Sequence, residues 1–277
     1  MTKFNGKTWV ITAAAAIIIV SSSVMTFALG NSVPQNTSIQ AAPYTVSQKE
    51  NTPNQLSTAA EYTVVDASGG TSLNKELVFT KLKIQGMTQE QMEAKYNEFV
   101  ANMTPSEKDI SAEQAAAYAA DILHKAYGID FKGYTAEASF SRNDLPNSGS
   151  WTVIFRAPQA KSYLASVDSI NGIMQNASTY DLSYEAVLSK NIEDPAWIDE
   201  AKADVLKVMP KDVTITGSSV VLANPAGGVI VVCELSNGAA CAVRLEGDNM
   251  AAVAYIYFPD GYDGSLDYHP VTEDSVG

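Results

Sequence analysis

The sequence predicts an α+β protein, two tandem helix-plus-antiparallel-sheet units behind an N-terminal transmembrane or signal segment. Three observations lead there. The chain opens on a long apolar run without charge. Two capped amphipathic helices are each followed by a series of short β-like runs. Clusters of turn-forming residues separate those runs at strand length.

Lys3 and Lys7 precede the apolar run Trp9 to Leu29, which contains no charged residue. At ~1.5 Å of rise per residue, about 20 such residues cross a hydrocarbon core ~30 Å thick. The run reads as a membrane anchor, or as a signal peptide whose Ala28-Leu29-Gly30 offers a small-x-small cleavage site. Both readings export the rest of the chain. The two lysines before the run, with no further cation until Lys49, place the N-terminus in the cytoplasm and the C-terminal part outside.

Residues 31–60 are rich in Ser, Thr, Asn, Gln and Pro and read as a flexible stalk. Residues 61–110 are expected to be an extension made of a β-hairpin, Tyr62 to Ile84, and a helix. That helix starts at the capping box Thr88-Gln89-Glu90-Gln91 and carries Met92, Tyr96, Phe99, Val100 and Met103 on one face. Residues 111–180 form the first unit. Its helix opens on a second box, Ser111-Ala112-Glu113-Gln114, buries the stripe Ala112, Ala116, Ala119 and Leu123, and stops at Gly128. Three strands follow, Gly133 to Phe140, Trp151 to Ala157 and Ser162 to Asp168, the first two separated by a turn-rich stretch from Asn143 to Gly149.

Residues 181–258 form the second unit, with a short linking helix over Leu182 to Ile192. Asp194-Pro195 opens its main helix, whose buried stripe is Trp197, Ala201, Val205 and Val208 and which Pro210 ends. Four strands come next, Val213 to Ala223, Gly228 to Leu235, Ala240 to Glu246 and Met250 to Phe258. An amphipathic helix and a strand meander each need an apolar partner, and laying one on the other makes a two-layer unit. From Pro259 to residue 277 the chain reads as an acidic tail without fixed structure.

The stretch Tyr163-Leu164-Ala165-Ser166-Val167-Asp168-Ser169-Ile170-Asn171-Gly172, with the Ala-rich helix of residues 111–127 and Trp151-Thr152-Val153-Ile154-Phe155, resembles the PepSY-like repeats. These are the peptidase propeptide and inhibitor family of exported and membrane-anchored bacterial proteins. The resemblance covers about residues 111–258. Its last stretch is similar to the family's strand that ends in an aspartate and a Gly-containing turn. Asp168 can cap that turn with its side chain, and Gly172 can supply the positive φ. Tyr62-Thr63-Val64-Val65-Asp66-Ala67-Ser68-Gly69-Gly70 repeats the signature, whereas Arg244-Leu245-Glu246-Gly247 in the second unit lacks the aspartate. The resemblance implies α-plus-antiparallel-β folds and a role in restraining peptidases or in envelope signalling. It hands over no catalytic residue.

Charge narrows the partners. Two of the 18 Lys and Arg precede residue 30 and all 31 Asp and Glu follow it, so the exported part carries −15. Nucleic acid is not an expected partner, because phosphate binding needs clustered cations. Another envelope or secreted protein is, and the membrane is engaged through the N-terminal segment alone.

Chemistry-bearing residues are few. His124 falls at the boundary of its helix beside Asp121, and His269 lies in the tail, so no His-Glu-x-x-His site exists. No Gly-x-Ser-x-Gly elbow, phosphate loop or dinucleotide fingerprint occurs, and a Ser–Lys dyad stays open. Asp260, Asp263 and Asp267 miss the spacing of a calcium loop and read as a solvated acidic tail. Trp151 and Phe155 read as core. Tyr127, Tyr134 and Tyr163 fit either core or a ligand groove.

Cys233 and Cys241 flank Leu235-Ser236-Asn237-Gly238-Ala239. A three-residue loop with Gly238 as the bulge sets them opposite each other, and a two-residue Asn-Gly turn sets them on opposite faces. A disulfide and two buried thiols both remain open. The sequence therefore predicts no catalytic residue, no cofactor and no metal. The function expected is an extracytoplasmic protein-binding or regulatory module, with an envelope hydrolase of unrecognised nucleophile as the alternative.

Overall fold

The structure is a computed structural model that describes residues 62–70, 73–142, 149–156, 161–181 and 188–267. The anchor or signal segment, the stalk, His269 and most of the predicted Asn143-to-Gly149 turn lie outside the described residues. Among the described residues no helix is long and apolar enough to cross a membrane.

Where the sequence marks a helix start, the backbone follows. Ser111 Oγ accepts the Gln114 N–H (3.2 Å) and Gln114 Oε1 accepts the Ser111 N–H (2.9 Å), as Thr88 and Gln91 do one helix earlier. Each box satisfies two amide donors that a helix start otherwise leaves unpaired. The helices are α1 (Lys75–Ile84), α2 (Gln89–Asn102), α3 (Ala112–Tyr127) and α4 (Ala196–Val208). Gly128 closes α3 in the left-handed region, at φ +68°. At α4 the Asp194 carboxylate accepts the Ala196 N–H (2.9 Å), directly behind Pro195.

Among the described residues nine strands form one sheet. They are β1 (Thr63–Asp66), β2 (Thr135–Arg142), β3 (Gly149–Arg156), β4 (Lys161–Asp168), β5 (Met174–Asp181), β6 (Ile215–Asn224), β7 (Gly228–Leu235), β8 (Ala240–Glu246) and β9 (Ala251–Phe258). Their order is β1-β2-β3-β4-β5-β9-β8-β7-β6. Two four-stranded antiparallel meanders, each preceded by its helix, meet through their last strands. β5 and β9 pair antiparallel over Asn176↔Ile256, Ala177↔Tyr255 and Ser178↔Ala254. Without β1 the order reads the same from either end, as an approximate two-fold axis at the β5–β9 pair requires.

Both unit helices lie on one face of this sheet and share one core. It holds the α3 alanines and Leu123, Trp151, Val153 and Phe155 from β3, Trp197, Ala201 and Val205 from α4, and Val229, Val231, Val243, Leu245 and Tyr255 from the second meander. The two units expected from the sequence are thus halves of a continuous layer, with α3 packed on β2–β5 and α4 on β6–β9.

Four local expectations are corrected. Among the described residues of 61–110 there is no hairpin. β1 pairs parallel with β2, and Lys75–Ile84 is a helix, because Asn74 caps it (Leu77 N–H to Oδ1, 3.0 Å) and Val78 and Leu82 fall four apart against Met92. The first meander has a fourth strand, β5, whose polar sequence hides it. It is held because it lies between β4 and β9. Of the linking helix over Leu182 to Ile192, the described part from residue 188 onward is not helical; Ser189 N–H bonds the Pro225 carbonyl (2.8 Å) instead.

The tail is the fourth correction, since residues 259–267 are ordered. Tyr262 packs edge-on against Phe258 (5.2 Å), and with Leu266 it covers Val232, Ala240 and Ala242 on the sheet face opposite the helices. A chain that ends at Phe258 is expected to lose about 2–3 kcal/mol of stability in urea and to bind more of an apolar fluorescent dye, since that patch is uncovered. An unchanged midpoint would show that the segment does not cover it.

Candidate protein-interaction surfaces

The aspartate turns come first, because they shape the surface. Asp168 Oδ1 accepts the Ile170 and Asn171 amides (3.0 Å each), Gly172 N–H reaches the Asp168 carbonyl (3.0 Å), and Gly172 sits at φ +69°. That is the capped turn read from the sequence. Asp66 repeats it with the Ser68 amide (2.8 Å), followed by Gly69 and Gly70 at positive φ.

Behind the first turn is a buried polar knot that the sequence reading missed. Asp109, whose side chain is fully buried, accepts hydrogen bonds from Arg142 Nη2 (2.6 Å), Ser169 Oγ (2.6 Å) and both the amide and hydroxyl of Ser106 (2.6 Å each). Burial alone opposes the charged form, but the bonds from Ser106, Ser169 and Arg142 outweigh it and hold the carboxyl at about 2. Ile110 adds its amide to the Ser169 carbonyl (2.7 Å), and Trp151 donates its indole N–H to the Ile110 carbonyl (3.0 Å). The knot ties the entry of α3 to β2, β3 and the β4–β5 turn. The Ser106-x-x-Asp109 spacing was its only sequence signal.

The cysteines stand directly opposite each other in the β7–β8 register, across the three-residue loop with Gly238 at φ +86°. Both are free and buried at the helix–sheet interface. Burial pushes the Cys233 thiol up to about 11 against the lowering influence of Lys202, and burial with the neighbouring Cys233 pushes Cys241 up as well. Such thiols are poor nucleophiles. In the native chain neither is expected to react with an aromatic disulfide reagent at pH 8, and both should react in denaturant. Fast modification of the folded chain would mean that β7 and β8 part readily.

His124 is exposed, with Nδ1 3.0 Å from the Ile129 carbonyl at the helix end. Asp260, Asp263 and Asp267 lie exposed in the ordered turn, where Asp263 accepts the Ser265 amide (3.0 Å) and Asp267 the Tyr262 hydroxyl (3.0 Å). Among the described residues no three His, Cys, Asp or Glu converge to hold a metal.

The tyrosines left open by the sequence are packing residues. Tyr127, Phe131, Tyr134, Phe155 and Tyr163 contact ring to ring at centroid distances from 4.1 to 6.4 Å. Tyr127 also donates its hydroxyl to the Val253 carbonyl (3.1 Å) and stacks edge-on with Tyr255 (5.9 Å), so it bridges the two halves.

Away from the two unit helices lie a sheet face and a sheet edge. On the face opposite α3, β3 and β4 carry Thr152 and Ser166, hydroxyls 3.0 Å apart, with Ser162 on the same side, and both serines are buried. At the far end of the sheet, β6 pairs with β7 alone among the described residues, and Val220 is 42% exposed.

No family model matches the chain, and no curated protein or solved structure matches it either.

Proposed function

We propose that this protein is an extracytoplasmic binding or regulatory module, held at the outer face of a membrane by Trp9 to Leu29 and acting on another envelope or secreted protein. The observation that carries the reading is the nine-stranded sheet whose last strand, β6, has a neighbour on one side only among the described residues, which leaves strand backbone for recognition. The candidate reactive groups serve the fold instead. Asp109 ties loops together, both thiols lie under helix and sheet, and His124 meets the Ile129 carbonyl just past the end of α3.

The PepSY-like signature supports peptidase modulation or envelope signalling as the setting, since Asp168 and Gly172 form the turn that the resemblance implies. The charge of −15 after residue 30 favours a basic partner and an association that weakens with salt.

The test is affinity capture from envelope extract with the full chain in detergent, beside hydrolase assays on peptide, ester and glycan substrates. A partner retained reproducibly at low salt and lost at high salt is expected. Turnover abolished by a single Ser, Lys or Asp substitution, with no partner retained, would overturn the reading in favour of an envelope hydrolase.

A further inference from the structure

The two ends of the sheet are equivalent by topology and unequal in occupation. The axis at the β5–β9 pair brings β2 onto β6. On the outer side of β2 lies β1, four residues running parallel, with Thr63↔Thr135 through Asp66↔Ala138 in register. It is fastened by the Thr63 amide to the Tyr134 carbonyl (3.0 Å) and the Ala67 amide to the Ala138 carbonyl (2.8 Å), and Val64 packs against the core. On the outer side of β6 no strand stands among the described residues.

We infer that this outer edge of β6, over Gly217–Val220, is a strand-addition site that takes a short extended segment of a partner protein, parallel to β6, in the place β1 fills on β2. The inference rests on the binding-module reading and names its contact.

Three features fix the occupant. The first is length. β6 has irregular register between Ile215 and Gly217 and again between Val220 and Leu222, so its longest run in consecutive register with β7 is Gly217, Ser218, Ser219 and Val220, ahead of the three residues Leu222–Asn224. Four regular residues match a four-residue strand like β1, and bulges discourage a longer one.

The second is the lack of chemical guards between the bulges. Exposed edges are defended by lysine, proline, inward charge or bulges, and here the bulges stand at either end of Gly217–Val220 and leave the run between them open. The ten residues of β6 contain neither a charged residue nor proline, and Val220 is left 42% exposed.

The third is charge. A Cβ on Gly217 would meet the Glu234 carboxylate at 2.6 Å, so that anion lies over the glycine at the edge, on the sheet face away from α4. A segment running parallel would set its first residue beside Gly217 on the Glu234 side, its second and fourth beside Ser218 and Val220 on the helix side, and its third beside Ser219. A basic residue followed by β-branched ones suits those positions, as in Lys-Val-Thr-Val. A second copy of this chain suits them poorly, because each copy brings a net charge of −13 and a second Glu234.

The test measures amide exchange of residues 215–224 in the full chain in detergent, with and without the peptide Gly-Ser-Lys-Val-Thr-Val-Ser-Gly. At about 5 mM peptide a site with a Kd of about 1 mM is mostly filled, and exchange there should slow about sixfold. Val220→Lys, which adds an edge charge, and Glu234→Gln, which removes the anion, should each reduce the protection, and a peptide with Pro for the first Val should give none. Unchanged exchange at residues 215–224, equal protection in both variants, or peptide-independent dimers that Val220→Lys dissolves would each overturn the inference. A partner captured equally by wild type and Val220→Lys would remove this site while leaving the binding-module reading intact.

Discussion

Replacing Trp197 by Ala is expected to lower the stability of the folded chain by about 3–5 kcal/mol, the usual cost of emptying a large aromatic from a core. Trp197 is 1% exposed, lies on α4 above the second meander, and donates its indole N–H to the Asn191 carbonyl (3.0 Å). The substitution removes ring packing and also leaves that carbonyl without its indole donor. Urea unfolding reads the change, with Glu200→Ala on the exposed side of the same helix staying within about 0.5 kcal/mol. A loss below about 1 kcal/mol for Trp197→Ala would place the ring outside the interface.

Asp109→Ala is expected to cost about 3 kcal/mol near neutral pH, because Arg142, Ser169 and Ser106 all lose a charged acceptor at a buried point. Its pH dependence identifies it. Asp109 has its carboxyl lowered to about 2 in the folded state, against about 3.9 in an unfolded chain, so its contribution is fully present above about pH 4. It disappears as pH falls from about 4 to about 2. The gap between wild type and Asp109→Ala should therefore close over that interval. Asp121→Ala, which breaks an exposed pair with Lys125, should show no such gap at any pH. A gap that persists unchanged at pH 2 would mean that the lost bonds are not those of the ionised carboxylate.

The contrast between Trp197 and Asp109 shows what a linear reading can reach. Helix ends and buried stripes are local, and both capping boxes and the buried Trp197, Ala201 and Val205 stood where residue type and spacing put them, while Val208 is half-buried and the helix begins at Ala196, whose amide Asp194 accepts. The β7–β8 loop was local too, and Gly238 settled the Cys233–Cys241 register.

The knot was not local. Asp109 meets Ser169 across 60 positions, and nothing near either residue marks the other. β5 failed for a related reason. A strand signal is a signal of burial, and Met174–Asp181 is central because of its neighbours rather than its own side chains. The segment Lys75–Ile84 failed in the opposite direction, since Leu77, Val78, Phe79 and Leu82 suit a strand until Asn74 and the packing against Met92 are considered. The open edge of β6 was invisible for the plainest reason, because occupancy of a sheet end is a property of topology.

The meeting of the halves at β5 and β9 has a consequence for the order of assembly. Each meander pairs strands that are close in the chain, whereas β5 must wait for β9, the last strand, which ends 77 residues after β5 does. A chain that appears N-terminus first at about 5–20 residues per second holds a finished first half with one ragged side for about 4–15 s. Through that delay the side must not stick to its counterpart on another molecule. Gln175, Asn176, Ser178 and Thr179 give it a water-compatible surface, and Ala177 supplies the small buried contact once Tyr255 arrives. The polar character that concealed β5 as a strand is what a late-closing seam requires. Enriching it in valine would be expected to raise aggregate yield during refolding more than it changes the midpoint of the finished protein.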